Sequence, residues 1–283
     1  MGGCELLDHG LPALATRGAS PAAFDERCIR TGCVAPRSHI PDILPRRALP
    51  ARRLTRLDAT RDLHHGPLAA EPLKGTLIVV EGTDGVGRST HIGLLKEWLE
   101  SGGHAVLDTG MARSALAGKG LKAALEGHTL GGLTMSLFYA TDFADRLEHE
   151  MIPALRAGFV VLTDRYTYSL MARAVVRGAD PEWVSGVYDF ALAPDITIYL
   201  RASVDELVNR VVQTSGFNYW ESGMDLRLGQ DMFDSFVEYQ SRLLQALDAM
   251  AVTHGFHVVD ATASIELVSE QLKALIEPLL ERA

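Results

Sequence analysis

The residues best suited to chemistry lie in a glycine-rich segment, Gly82-Thr-Asp-Gly-Val-Gly-Arg-Ser-Thr90. Its three glycines let backbone N–H groups converge on phosphate oxygens, and a helix that starts here presents its positive end to the same anion. The Ser89 hydroxyl is placed to bind Mg²⁺, but Arg88 stands where the pattern G-x-x-x-x-G-K-[ST] has lysine. The segment predicts a phosphate-binding loop (P-loop) in which a planar guanidinium replaces a compact ammonium.

A second candidate site follows the apolar run at residues 159–163 and consists of Asp164-Arg165-Tyr166. If the run is a strand, these residues lie at the carboxyl edge of the sheet, where open α/β sheets bind ligands. Asp164 can hold Mg²⁺ directly or through water, and Arg165 can clamp a phosphate with two hydrogen bonds. Taken alone, an Asp-Arg pair is equally typical of an ion pair at a strand end.

A third cluster lies within a predicted helix, where Asp142, Arg146 and His149 fall at positions i, i+4 and i+7. This spacing puts the three side chains on one helix face, which can meet an anionic substrate. A solvated face with ordinary (i, i+4) charge pairing produces the same pattern.

The elements that must position these residues alternate between strand-like and helix-like patterns from Lys74 to the C-terminus. Five short apolar runs are typical of strands, at residues 76–80, 104–107, 159–163, 196–200 and 256–259. Amphipathic segments between them predict helices, including a long one from about residue 130 to residue 157. The alternation predicts an α/β fold in three layers, with helices on both faces of a five-stranded parallel sheet.

Residues 1–73 differ in composition from the rest of the chain. They are rich in proline, arginine and small residues, show no sustained helical or strand period, and contain all three cysteines. We therefore expect a poorly ordered extension at residues 1–73 and one globular domain at residues 74–283. A domain without cysteine fits a reducing cytoplasm.

The formal net charge of −9 over 283 residues argues against binding to duplex nucleic acid, which needs many cations to face its phosphates. No apolar run approaches the roughly 20 residues that span a bilayer, and the first residues lack the basic and apolar regions of a secretory signal. We expect no nucleic-acid partner, no membrane segment and a cytoplasmic location.

The motifs together resemble the thymidylate kinase family of nucleoside monophosphate kinases, and the likeness runs from Gly75 to the C-terminus. The family's E-G-x-D-G-x-G-K-S-T resembles the segment 81–90, and its D-R-Y resembles residues 164–166. Its L-F-x-A, D-R-x-x-H, P-D-x-x-x-Y-L and V-x-D-A motifs resemble residues 137–140, 145–149, 194–200 and 258–261, in that order.

This resemblance implies a P-loop NTPase fold with a small lid, and transfer of the ATP γ-phosphoryl group to dTMP with Mg²⁺ as cofactor. The product, dTDP, feeds dTTP biosynthesis. The family usually dimerises, so the resemblance also implies a homodimer whose ligands are small nucleotides. Residues 217–230 would form the lid over ATP.

The resemblance also implies roles for individual residues. Asp84 would contact the deoxyribose 3′-hydroxyl, Phe138 would stack on the base, and Arg146 would assist Arg165 at the acceptor phosphate, beside Tyr166. The implied catalytic residues are Arg88, Asp164 and Arg165, and the implied metal ligands are Ser89 and Asp164. The implied ATP-binding residues are Gly82, Thr83, Asp84, Gly85, Val86, Gly87, Arg88, Ser89, Thr90 and Arg227.

Four features depart from the family pattern. Arg88 replaces the P-loop lysine, and the run Ser169-Leu-Met-Ala-Arg173-Ala174 lacks the amide that would read thymine. The loop at residues 108–114 offers only Arg113 in a shifted position, and the motif at residues 145–149 lies about one helical turn closer to Pro153. Two other functions therefore stay open, a noncatalytic nucleotide-binding module and a deoxynucleotide kinase with another base preference.

Overall fold

The computed structural model describes residues 72–281 apart from residues 129 and 215. The extension predicted at residues 1–73 lies outside the described residues except for its last two. Within the described part of the chain, no helix combines the length and the apolar character that crossing a membrane requires.

The strands form one parallel sheet, as the alternating pattern predicts. Its order is β2-β3-β1-β4-β5, and every neighbouring pair is parallel. The strands are β1 (Thr76–Gly82), β2 (Val106–Gly110), β3 (Val160–Asp164), β4 (Ile196–Arg201) and β5 (His257–Asp260). β2 begins two residues later than its apolar run. It also ends three residues later, because the polar residues Asp108 and Thr109 continue the pairing with β3.

Helices connect the strands and cover the sheet. They are α1 (Arg88–Ser101), α2 (Gly118–Glu126), α3 (Gly132–Arg146), α4 (Ile152–Arg156), α5 (Thr167–Val176), α6 (Pro181–Val187), α7 (Val204–Gln213), α8 (Met232–His254) and α9 (Ile265–Leu280). A π-helical turn, Leu147–Met151, joins α3 to α4, so the long helix predicted at residues 130–157 is confirmed as one nearly continuous run. A short 3₁₀ turn, Met224–Leu226, precedes α8.

The core lies on both faces of the sheet. Successive residues of β1 point to opposite faces, and all seven are buried. Ile78 and Val80 pack with apolar residues of α1, α8 and α9, whereas Leu77 and Val79 pack with those of α3 and α5. This arrangement confirms the three-layer α/β/α architecture.

The strand register brings the predicted chemistry to one place. Val80 of β1 is paired with Asp164 of β3, and Gly110 of β2 lies on the other side of Asp164. The glycine-rich loop and the Asp164-Arg165 segment therefore leave neighbouring strands at the same carboxyl edge. Open α/β sheets bind their ligands at this edge.

Candidate active site

The glycine-rich loop turns directly into α1, as a P-loop does. Gly85 and Gly87 have φ angles of 78° and 100°, in the left-handed region that favours glycine. A Cβ at Gly85 would also lie 2.7 Å from Val211 Cγ2. Among the described residues, no side chain caps the first turn of α1, which begins at Arg88, so its N–H groups can bind an anion.

Arg88 ties the P-loop to the end of β3. Its Nε donates a hydrogen bond to Asp164 Oδ1 at 2.7 Å, and its Nη1 donates to the carbonyl oxygen of Gly82 at 2.7 Å and to that of Thr83. A lysine ammonium lacks the planar fork that makes these bonds together. The arginine at the lysine position is therefore a structural link as well as a positive charge.

Asp164 is ionised and keeps one oxygen free. Burial raises the pKa of its carboxyl, but the charges of Arg88 and Arg165 outweigh burial and hold the pKa below its ordinary value. Oδ1 accepts from Arg88, and no donor in the described residues bonds Oδ2.

The donor set at this edge fits Mg²⁺. Ser89 is exposed in the first turn of α1 and offers a hydroxyl, while Asp164 offers its free carboxylate oxygen. Protein sites for Mg²⁺ usually supply one or two such oxygens and leave the remaining positions to phosphates and water. The described residues contain no cluster of three or more His, Cys, Asp or Glu side chains that would form an all-protein cage.

Asp84, in the P-loop, lies at the centre of a buried cluster of charges. Its side chain is 3% exposed, and Arg165 Nη2 donates to its Oδ1. Arg173 Nη2 donates to Oδ1 at 2.8 Å and to Oδ2 at 2.6 Å, and Gln240 Nε2 donates to Oδ2 at 3.1 Å. These donors come from the end of β3, from α5 and from α8, so the P-loop is connected to three distant segments.

The charged groups in this cluster shift one another's pKa values. Burial raises the pKa of Asp84, but the charges of Arg165 and Arg173 hold it far below its ordinary value. Burial lowers the pKa of Arg165, as does the charge of Arg88, and Asp84 only partly offsets these effects. Burial also tends to lower the pKa of Arg173, but the nearby Asp84 carboxylate raises it above the ordinary value. Asp84 is therefore a fixed anion and an ineffective general base near neutral pH.

The backbone at Arg165 is held in an uncommon conformation. Its φ is 67°, in the left-handed region, although it carries a full side chain. The Arg165 N–H donates to the carbonyl oxygen of Val80 at 3.0 Å, and Thr163 Oγ1 donates to the Arg165 carbonyl oxygen at 2.8 Å. Backbone strain of this kind persists where surrounding contacts enforce it, commonly at functional sites.

Comparison with known proteins agrees with this geometry. Residues 80–272 match the family model described as thymidylate kinase. The chain belongs to the thymidylate kinase family. It is 32% identical to "Probable thymidylate kinase 2" of Saccharolobus solfataricus, over 75% of this chain and 100% of that protein. It is also 32% identical to "Probable thymidylate kinase" of Thermococcus kodakarensis, over 72% and 98%, and 26% identical to "Thymidylate kinase" of Caldicellulosiruptor saccharolyticus, over 74% and 100%.

Tyr166 of the family's D-R-Y motif and Ser169 of α5 are held by a buried carboxyl group that our site prediction omitted. Glu81 is 0% exposed and accepts from the Tyr166 N–H at 2.9 Å, from the Ser169 N–H at 3.3 Å and from the Ser169 hydroxyl. Tyr166 itself points into the core, where its hydroxyl donates to the Leu192 carbonyl oxygen at 2.9 Å. Its predicted substrate contact stays a prediction.

Arg146 lies apart from the Asp84 cluster. It is 1% exposed, and its Nε donates to Asp142 Oδ2 at 3.1 Å while its Nη1 lies 3.4 Å from Thr109 Oγ1. Asp142 also accepts from the Ala112 and Ser114 N–H groups at 3.0 and 2.9 Å. Arg146 therefore braces the loop after β2, and its predicted contact with the acceptor phosphate stays a prediction.

Phe138 is half-buried on α3 and faces α2. A Cβ added at Gly120 of α2 would lie 3.8 Å from its ring. The aromatic ring thus lies against α2, and stacking on a base stays a prediction for this family member.

The lid segment (residues 217–230) is anchored to α2, to Arg177 at the C-terminal end of α5 and to α8. Trp220 Nε1 donates to the Leu125 carbonyl oxygen at 2.8 Å, and Arg177 Nη2 donates to the Trp220 carbonyl oxygen at 3.1 Å. Gln240 Nε2 donates to the Glu221 carbonyl oxygen at 2.8 Å and also bonds the P-loop. The lid is therefore connected to Asp84 through one side chain of α8.

Arg227, the predicted lid cation, does not take part in these contacts. It is exposed, has a φ of 54°, and forms no ion pair with the residues that the structure describes. It lines an open cleft of about 500 Å³ with residues 228–230 and the first turns of α8. Its contact with ATP stays a prediction.

Two further residues at the site were missed by sequence reasoning. No sequence motif marks Gln240, because it is one polar residue among many in a long amphipathic helix. Arg210 donates to the carbonyl oxygens of Val86 at 3.0 Å and Ala261 at 2.7 Å, and so holds the P-loop from α7. Its only local signal is the (i, i+4) spacing from Glu206, which it also bonds at 2.8 Å.

Proposed function

We propose that this chain transfers the γ-phosphoryl group of ATP to dTMP, giving ADP and dTDP. Family membership and the names of the relatives support the reaction class and the acceptor. The observation that carries the proposal is the shared position of the P-loop and the Asp84–Arg165–Arg173 cluster at one sheet edge. Such a site can hold a donor phosphate chain next to an acceptor phosphate.

The donor side would be bound mainly by the backbone. The N–H groups of the P-loop and of the first turn of α1 would receive the β- and γ-phosphates, and Arg88 would add positive charge beside them. Ser89 and Asp164 would hold Mg²⁺, which neutralises the developing charge on the phosphates. The Arg88 link to Asp164 would keep the loop and this carboxylate in fixed relation.

Transfer to the acceptor phosphate requires an arginine that positions this phosphate, and it does not require a general base. The nucleophile is a phosphate oxygen of dTMP, which is already ionised near neutral pH because the second pKa of a phosphomonoester is about 6. Arg165 would hold that phosphate in line with the γ-phosphorus, so that positioning and charge neutralisation lower the barrier. The low pKa of Asp84 agrees with this scheme, since no proton has to be accepted.

We also propose a homodimer in the cytoplasm. Leu133 and Leu137, 64% and 46% exposed, are one helical turn apart on α3 and give this helix an apolar outer strip. Such strips are common at subunit interfaces. Light scattering on the purified chain measures the mass, and a monomer at micromolar concentration would contradict the dimer.

The test is an ADP-release assay with Mg-ATP against dTMP, dUMP, dCMP, dGMP and the ribonucleotides. We expect the highest kcat/KM with dTMP. A higher kcat/KM with another nucleotide would show that dTMP is not the preferred acceptor. The run 169–174 lacks the amide that would read thymine, which is why the other bases are included. No turnover with any acceptor, alongside measurable ATP binding, would favour a noncatalytic nucleotide-binding module.

A further inference from the structure

Arg165 and Arg173 each use one terminal nitrogen on the same carboxylate. Both Nη2 atoms donate to Asp84 Oδ1, and every hydrogen bond of Arg173 to the described residues goes through Nη2. Arg165 Nε is buried and has no hydrogen-bond partner. Buried polar groups are nearly always satisfied, so this orphan donor indicates a missing acceptor. Both guanidinium groups therefore have donors left for a second anion.

The charges around these donors leave an excess of positive charge. The guanidinium groups of Arg88, Arg165 and Arg173 face the carboxylates of Asp84 and Asp164. These five groups carry one more positive charge than negative. Glu221 of the lid lies near the cluster, where burial and the charge of Asp84 raise the pKa of its carboxyl. Because an uncompensated buried charge is costly, the cluster is suited to an additional anion.

The position of Arg173 matches that of a phosphate ligand. It lies on α5, which begins two residues after Arg165, and its ion pair with Asp84 places its guanidinium group beside the P-loop. A phosphoryl group has three oxygens and can engage two guanidinium forks at once, whereas a carboxylate has two. Arg146 is 1% exposed and engaged with Asp142 and Thr109, so it is the less available of the two candidate partners of Arg165.

We propose that Arg173 is a second ligand of the acceptor phosphate beside Arg165, and that Asp84 orients both guanidinium groups for it. This inference rests on the proposed function and names the residue that adds to Arg165 at that site. It also gives a reason for an arginine in the run 169–174, where the family carries its base-reading residues. The chain would then recognise the acceptor more through its phosphate than through an amide contact to its base.

The test compares a nucleotide with its nucleoside. Binding of dTMP and of thymidine to the full-length chain is measured by calorimetry without ATP, for the wild type, Arg173→Gln and Arg173→Lys. Because a charge-assisted hydrogen bond typically contributes about 1.5–3 kcal/mol, we expect Arg173→Gln to weaken dTMP binding roughly 10- to 100-fold. Thymidine binding should change less than about threefold, because thymidine has no phosphate for Arg173 to contact. The affinity of Arg173→Lys for dTMP should lie between those of the wild type and Arg173→Gln, because lysine keeps the charge.

Arg201→Gln is the matched control. Arg201 pairs with the Asp248 carboxylate through two hydrogen bonds of 2.9 and 3.0 Å, as Arg173 does with Asp84, but it is half exposed and lies outside the site. We expect this variant to bind both ligands as the wild type does. Equal weakening of dTMP and thymidine in Arg173→Gln, or unchanged dTMP binding, would overturn the inference.

The outcomes separate this inference from the proposed function. If the wild type binds dTMP with the Arg173 dependence described but transfers no phosphoryl group, the proposed function fails and the phosphate site stands. If the wild type turns over dTMP but Arg173→Gln binds it normally, the phosphate site fails and the proposed function stands. If the wild type binds neither ligand, both fail.

Discussion

Arg88 Nε lies 2.7 Å from Asp164 Oδ1, and this ion pair joins the first residue of α1 to the last residue of β3. The same guanidinium bonds the carbonyl oxygens of Gly82 and Thr83. In the family pattern a lysine at this position acts as a point charge on the phosphates. In this chain the residue supplies charge and also fixes the position of the loop.

Substitutions at Arg88 can separate the effect of its positive charge from the effect of its planar guanidinium geometry. Arg88→Lys keeps the charge, so we expect turnover within about threefold of the wild type, while the lost bonds lower the free energy of unfolding by about 1–2 kcal/mol. Arg88→Gln removes the charge and should lower kcat roughly 100-fold. Steady-state kinetics and urea unfolding measure the two effects. Full turnover by Arg88→Gln would show that the charge has no part in transfer.

Acid stability depends on the same ion pair. The pKa of Asp164 in the folded chain is below its ordinary value of 3.8, so the ionised carboxylate contributes stability that is complete above about pH 4 and is lost as pH falls through the folded pKa. Without the Arg88 charge, the folded pKa of Asp164 is depressed less, so Arg88→Gln should lose less stability than the wild type as pH falls below about 4. Urea midpoints between pH 7 and pH 3 test this, with Arg201→Gln as control. Parallel pH curves for Arg88→Gln and the wild type would contradict the assignment.

Gln240 is expected to couple the lid to the P-loop. Its amide nitrogen donates to Asp84 Oδ2 at 3.1 Å and to the Glu221 carbonyl oxygen at 2.8 Å. Gln240→Met keeps a similar shape and removes both bonds, so we expect kcat to fall about tenfold as the lid loosens. The variant Trp98→Phe/Trp183→Phe leaves Trp220, in the lid, as the only tryptophan of the chain. The fluorescence emission of Trp220 should shift when Gln240→Met is added to this variant.

The control for this prediction is Gln245→Met, on the exposed side of the same helix. It should leave kcat and the Trp220 emission unchanged. If Gln240→Met behaves like Gln245→Met, the amide has no coupling role.

The sequence predicted the parts of the site that are local. The glycine spacing of the P-loop and the apolar runs of the five strands are patterns over a few residues, and the structure confirms the P-loop and the parallel sheet. The partners of Asp84 were not predictable in this way. Arg173 and Gln240 are 89 and 156 residues from it in the chain, and only the folded arrangement of α5 and α8 brings them together.

Burial was also only partly predictable. Leu133 and Leu137 have the helical spacing of core residues but are exposed, whereas Arg146 is almost completely buried. A helical period shows which residues share a face, but the elements that pack against each turn determine whether the face is covered.

Ser89 is expected to set the requirement for Mg²⁺. Removing its hydroxyl in Ser89→Ala takes away one oxygen ligand, so the Mg²⁺ concentration for half-maximal activity should rise about tenfold. Stability should be unaffected because Ser89 is exposed. Ser101→Ala, at the other end of α1, is the control, and EDTA should abolish activity in every variant until Mg²⁺ is added back. An unchanged Mg²⁺ dependence in Ser89→Ala would remove Ser89 from the metal site.

The proposed reaction is tested most directly by following the phosphoryl group itself. The chain is incubated with Mg²⁺, dTMP and ATP labelled at the γ-phosphorus with ³²P, and the nucleotides are separated. We predict that the label appears in dTDP, and that Arg165→Ala abolishes this transfer while leaving ATP binding in place. Label that stays in ATP, or is released only as inorganic phosphate, would contradict the proposed transfer to dTMP.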